Sequence, residues 1–167
     1  MKNVTASVDL PCSADTFWRV FFDDEYTRTL YLDALQFKNV TVLAKTDTTR
    51  KILVVPKVNL PGPLAKLIGD AFAYEEHGTL DRANNLWSWR MVQPGGKREL
   101  VATRGTTRIV ATGDKSCRRT DDVTAEGKIF GLGGLIESSV EKELHSSWAK
   151  EWPHLKRWIE KVQAQAT

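Results

Sequence analysis

His77 is the side chain best suited by type to move a proton, and Glu75, two residues before it, shares its face in any extended strand. Such a pair suits general acid–base work, with the carboxylate orienting the imidazole. It would serve a hydrolytic reaction. The other histidines, His145 and His154, lie among Lys and Glu near the C-terminus, where solvation is expected. The three histidines lack metal-ligand spacing. No phosphate-cradling glycine loop, HExxH helix or nucleophile elbow is present. Cys12 and Cys117 are too few for a disulfide framework or a zinc set. The sequence therefore assigns no catalytic residue, cofactor or metal.

What His77 can do depends on which face of its hairpin turns inward. If the turn at 81–85 pairs its flanks symmetrically, Glu76 stands opposite Arg90 and His77 opposite Trp89. The first pair would then be an ordinary cross-strand charge pair, worth roughly 0.2–1 kcal/mol. Were that face buried instead, the pair could orient a polar ligand head group; in the alternative, Glu75, His77 and Thr79 share the cavity face with Trp87 and Trp89. Both arrangements stay open at this point.

The elements that must hold these residues follow from periodicity. Residues 3–10 alternate polar and apolar, as a half-buried strand does. Pro11 ends that strand, and Ser13 is placed to cap a helix. Phe17, Trp18, Val20 and Phe21, then Tyr26, Leu30, Tyr31 and Leu32, predict two short helices divided at Asp23-Asp24. Strands are expected at 37–44 and 50–55, at 72–80 and 86–92, and near 100–111 and 117–130, with turns at 46–49, 81–85, 94–97 and 113–115. In the last strand Val123, Ala125, Gly127 and Ile129 fall on one face. Ile136, Val140, Leu144, Trp148, Leu155, Ile159 and Val162 then form the apolar stripe of a long helix, in which Pro153 should cause a kink or break. Between the second and third predicted hairpin strands, residues 60–69 carry Leu64, Leu67 and Ile68 at helical spacing between turn residues.

Antiparallel strands followed by a helix that must bury its stripe make an α+β domain. At 167 residues one domain, 1–167, is expected. A composition of 41% hydrophobic and 27% charged residues is that of a globular chain, and a net charge of +3 without a basic stripe argues against nucleic acid as a partner. No run approaches the ~20 apolar residues of a spanning helix, and no apolar segment follows Met1-Lys2, so a cytoplasmic location is expected.

The order strand, two helices, six strands, long helix resembles the START-like superfamily (Bet v 1-like, polyketide-cyclase-like). The run 11–18, Pro-Cys-Ser-Ala-Asp-Thr-Phe-Trp, looks like its passage from first strand to helix. The run 127–137, Gly-Lys-Ile-Phe-Gly-Leu-Gly-Gly-Leu-Ile-Glu, looks like its passage into the long helix. Together with Leu60-Pro61-Gly62-Pro63-Leu64, these runs are similar to a branch whose members mostly lack an assigned activity. The resemblance implies a helix-grip fold: a curved seven-stranded antiparallel sheet around a long C-terminal helix, with two short helices after strand 1.

It also implies a cavity that binds or carries a hydrophobic small molecule, in particular a lipid, without catalysis. Candidate ligand contacts are Tyr74, His77, Trp87, Trp89, Met91, Ile109, Val140, Leu144 and Trp148. Leu64, Leu67 and Ile68 are candidates for a lid or a transient membrane contact. A cyclase-like enzyme using His77, or a filled-core scaffold acting through protein partners, are the alternatives. The first and last strands of such a sheet pair antiparallel, which would bring Cys12 and Cys117 close enough to permit a disulfide without establishing one. The pocket is expected to open between the Leu64–Ile68 segment and the N-terminal part of the long helix.

Overall fold

The computed structural model describes residues 1–69 and 72–167. Strand β1 (Lys2–Leu10) leads into helices α1 (Ala14–Phe21) and α2 (Asp24–Thr29), the latter prolonged by a π-helical turn, Leu30–Ala34. The expected cap forms, Ser13 Oγ accepting from the Thr16 N–H at 3.2 Å; Asp23 Oδ1 likewise accepts from the Tyr26 N–H at 2.7 Å, so a second cap is what separates the two helices. Strands β2 (Asn39–Lys45) and β3 (Thr49–Val55) are followed by a short helix α3 (Gly62–Ile68). Then come β4 (Tyr74–Asp81), β5 (Leu86–Val92), β6 (Val101–Gly113), β7 (Ser116–Gly127) and helix α4 (Gly133–Gln165).

The strands form one antiparallel sheet in the order β1-β7-β6-β5-β4-β3-β2. This is the expected α+β helix-grip arrangement, with Ile136, Trp148, Leu155 and Ile159 of α4 buried against its inner face. One end is densely packed: Leu10, Phe17, Trp18, Tyr26, Leu80, Trp87, Ile109, Leu155 and Ile159 belong to one core cluster. Phe17 and Trp18 meet edge to face at 4.8 Å, a geometry that adds to their area burial.

Three expectations are corrected. The β4–β5 turn is four residues, not five, because Asn85 takes a positive φ of 48° and lets Leu86 pair with Asp81. Glu76 therefore pairs with Met91 and His77 with Arg90, one residue off the symmetric register. Pro153 does not break α4, which runs unbroken for 33 residues. The carbonyl that loses its partner is that of Ala149, and both residues are exposed, so water satisfies it. Finally, β7 stops at Gly127, so Ile129 lies in the β7–α4 connection. A side chain at Gly127 would meet the Gly133 backbone at 2.6 Å, which is why the strand passes so close under the start of α4.

Cys12 and Cys117 do lie together, since Leu10 pairs with Cys117. Both are free and fully buried. The hydrogen bond to Cys117, and then burial, push the Cys12 thiol up, keeping it protonated.

Candidate functional site

Away from the packed end, the space between sheet and α4 is hollow and divides into two adjoining lobes. The first, of about 150 Å³, sets charged side chains among largely apolar walls and is called the polar lobe for them. The second, of about 160 Å³, is apolar. Phe37, Tyr74, Met91, Leu144 and Ser147 line both and form the waist between them.

The polar lobe is built from charged residues that the sheet turns inward. On β3, Arg50 is in phase with the buried Ile52 and Val54. Its Nη2 lies 3.3 Å from Glu76 Oε1, its Nη1 donates to the Phe21 carbonyl at 2.8 Å, and its guanidinium sits 4.4 Å above the Phe21 ring. On β7, Arg119 and Asp121 are in phase with Val123. Arg119 bonds Asp121 at 2.9 Å and Glu151 of α4 at 2.6 Å, and Asp121 also accepts from Thr107 Oγ1 at 2.6 Å.

Burial raises the Glu76 and Asp121 carboxyls despite their arginines. Burial works against the Arg119 charge, yet Asp121 and Glu151 hold it above its ordinary value. Two guanidiniums face three carboxyl groups here, so full ionisation leaves one negative charge in excess. The upward shifts run in the direction that lets a proton cancel it. Five buried polar atoms have no hydrogen-bond partner among the described residues: Tyr26 OH, Arg50 Nε, Thr103 Oγ1, Asp121 Oδ2, which is held only by its ion pair with Arg119, and Trp152 Nε1. The first two belong to residues of the polar lobe, and Thr103 lines the apolar one. Such atoms cost free energy when left unpaired, so they are natural partners for a bound polar group.

The apolar lobe lies between Leu64 and Ile68 of α3, with Pro56, Val58 and Leu60 leading into it, and Ile136, Val140 and Leu144 on the first turns of α4. The structure thus brings together most of the sequence-predicted contacts. Trp87, Trp89 and Trp148 line the polar lobe, Val140 the apolar one, and Tyr74, Met91 and Leu144 both. Leu64 is buried, Ile68 half-buried, and Leu67 points outward at 47% exposure.

Two of the predicted contacts stand elsewhere. Ile109 is buried in the packed end and lines neither lobe. His77 is on the outer face of the sheet, as are Glu75 and Thr79, because Tyr74, Glu76 and Leu80 turn inward. Its Nε2 is 2.7 Å from Glu75 Oε2, an outer-face pair remote from the cavity. His154, expected in solvent, instead stacks on Tyr26 at 5.7 Å and bonds Thr29 Oγ1 at 3.1 Å.

Residues 5–159 match the model of a family described as "Protein of unknown function (DUF2505)". No curated protein matches the chain. Among solved structures, TTHA0849 from Thermus thermophilus superposes with a TM-score of 0.69 at 18% identity, over 96% of this chain and 99% of that one. The Zhui aromatase/cyclase from a Streptomyces species gives 0.68 at 15% identity, over 96% and 94%. A START superfamily protein from Mycobacterium smegmatis gives 0.58 at 16% identity, over 96% and 98%. At these identities the likeness carries the fold alone, and the fold is that of the START-like superfamily.

Proposed function

This chain belongs to the DUF2505 family, whose function is unknown, and we propose that it binds or carries a compact hydrophobic small molecule bearing one polar end. The observation that carries this reading is the pairing of an apolar lobe with a charged one across a shared waist. An apolar body beside α3 would place its polar end within reach of Arg50 Nε and Tyr26 OH, whose hydrogen-bonding capacity is unspent. A cavity of about 150 Å³ holds a benzene-sized molecule. Two such lobes suit a small ring system or one short chain, such as a single-chain lipid, better than a pair of long acyl chains. They are also too large for a filled core, since one water occupies about 30 Å³.

Binding without turnover is the reading favoured by the ion pairs. Glu76 is engaged by Arg50, and Asp121 and Glu151 by Arg119, so none of the three carboxylates stands free as a base. A second reading rests on burial of Glu76 and Asp121 beside the cavity, where a protonated carboxyl can act as a general acid. His77 has no part in either.

Ser147 stands at the waist, and Ser147→Phe is expected to fill it. Fluorescence titration with N-phenyl-1-naphthylamine should show affinity falling at least about tenfold, while the thermal midpoint stays near that of the parent. Native mass spectrometry of protein from its host should show a small bound mass that the variant lacks. Equal affinity in the two proteins would refute the cavity as the binding site, and a converted ligand would shift the reading to catalysis.

Membrane contact, if the ligand is taken from a bilayer, would use the open end of the sheet. Leu67 of α3 and the fully exposed Phe130, in the connection leading into α4, are on the two elements that flank the apolar lobe. Leu67→Ser with Phe130→Ser should reduce sedimentation with lipid vesicles and leave naphthylamine binding unchanged; unchanged sedimentation would exclude this face.

A further inference from the structure

The outer face of the sheet carries a feature that the cavity does not explain. In the observed register Lys51 pairs with His77, His77 with Arg90, and Arg90 with Arg104. Four basic residues therefore stand side by side across β3, β4, β5 and β6, in a row about 14 Å long at ordinary strand spacing. Like charges directly opposite one another across strands are destabilising. Glu75 relieves one end of the row, at 3.2 Å from Lys51 Nζ and 2.7 Å from His77 Nε2. The other end is relieved less: Arg90 and Arg104 are exposed, directly paired, and make no hydrogen bond or ion pair with a described residue, and Arg104 feels only the field of Glu126 on β7.

The neighbouring row on the same face is made of hydroxyls. Thr79 pairs with Ser88 and Ser88 with Thr106. Lys51, His77, Thr79, Ser88, Arg90 and Arg104 line one shallow trough. Two guanidiniums side by side present forked donors to a single tetrahedral oxyanion, and the hydroxyls add short neutral donors beside them. Stacked bases would need exposed aromatic rings. The aromatic residue at this trough, Trp89, instead packs with Val123 and Trp148 on the cavity side of the sheet.

We propose that this trough is a second binding site, for a phosphomonoester group gripped by Arg90 and Arg104 and flanked by His77, Lys51 and the Ser88 hydroxyl. The site is independent of the interior cavity, from which the sheet itself separates it. The direct Arg90–Arg104 pairing is a cost that a bound phosphate relieves.

The test is an NMR titration of the full chain with phenyl phosphate and, separately, with dihexanoyl phosphatidic acid below its micelle concentration. Shifts should converge on Lys51, His77, Arg90 and Arg104, and Arg90→Gln with Arg104→Gln should weaken binding by about tenfold or more. The same double variant should be thermally more stable than the parent without phosphate, and should bind naphthylamine unchanged. A charge-matched control, Arg108→Gln with Lys115→Gln, should lose less than about twofold. Binding of phenyl phosphate assigns the site to a soluble phosphomonoester, and binding of the lipid phosphate alone assigns it to a lipid headgroup. Three results would overturn the site: neither compound binds, the control loses as much as the double variant, or oligoglutamate displaces both, which would mark an acidic protein surface instead.

Discussion

Arg119→Met is expected to cost about 3–5 kcal/mol of folding free energy at neutral pH, because it removes one member of a buried charge cluster and strands the others. Arg119 and Asp121 are nearly inaccessible, and Glu151 reaches the guanidinium from the opposing helix at 2.6 Å. Methionine matches the length of the side chain but supplies no charge, so two carboxylates would face each other in a cavity wall. Urea denaturation should show the loss.

The dependence on pH separates this cause from mere loss of packing. Burial already raises Asp121, and Arg119 opposes that rise. Without Arg119 the folded-state pKa climbs further above the unfolded value of about 3.9. The folded chain then binds more protons than the unfolded one, so stability falls as pH increases through that window. The deficit of the variant should therefore shrink on acidification from pH 7 towards pH 4. A deficit below about 1 kcal/mol at pH 7, or one independent of pH, would show that the cluster is not the buried ion network described above. Adding Asp121→Leu and Glu151→Leu should restore much of the stability, since apolar groups of similar volume often replace such clusters without loss.

The fold was legible because its local signals are strong: the β7 alternation, the α4 stripe, the cap at Ser13 and the polar break at Asp23-Asp24 are ones that tertiary packing has no cause to override. The polar lobe was legible in principle and missed. Extending the inward face of β7 back from Val123 by two and four residues lands on Asp121 and Arg119. The same step from Ile52 lands on Arg50, and from Tyr74 on Glu76. Charged residues in phase with a core face are the informative exception to burial by hydrophobicity. What periodicity does not carry is register. The one-residue shift at Asn85 turned on a backbone φ that an Asn tolerates more readily than most residues do. That shift decided whether Glu76 or His77 shared the face of Met91, and hence which residue the cavity received. Ile109 failed for a different reason: apolar side chains that line a cavity and those that fill a core are the same types, and only the shape of the sheet tells the two ends apart.

Gly78→Ala is expected to destabilise the chain by about 3 kcal/mol, at the upper end of overpacking costs, although it adds only a methyl group. A Cβ there would lie 1.9 Å from Cζ2 of Trp87 and 2.4 Å from its Cε2. The indole has nowhere to go. It is 1% exposed, with Phe21 and Phe22 against it at 5.3 and 5.5 Å and the Arg50 guanidinium 5.6 Å from its ring. Moving it would displace Arg50 and with it the Glu76 contact, so the steric fault propagates into the polar lobe and ligand affinity should fall together with stability. Trp87→Leu in the Gly78→Ala background should recover part of the stability by vacating the contested volume, whereas Trp87→Leu alone should destabilise by leaving a cavity. Gly134→Ala is the matched control. It meets nothing within 4 Å and sits in α4, where alanine is favoured over glycine by up to about 1 kcal/mol, so it should be neutral or stabilising. If both glycine variants shifted the urea midpoint alike, the loss at Gly78 would be one of backbone entropy. The packing of Trp87 against bare backbone, on which the shape of the cavity depends, would then be wrong.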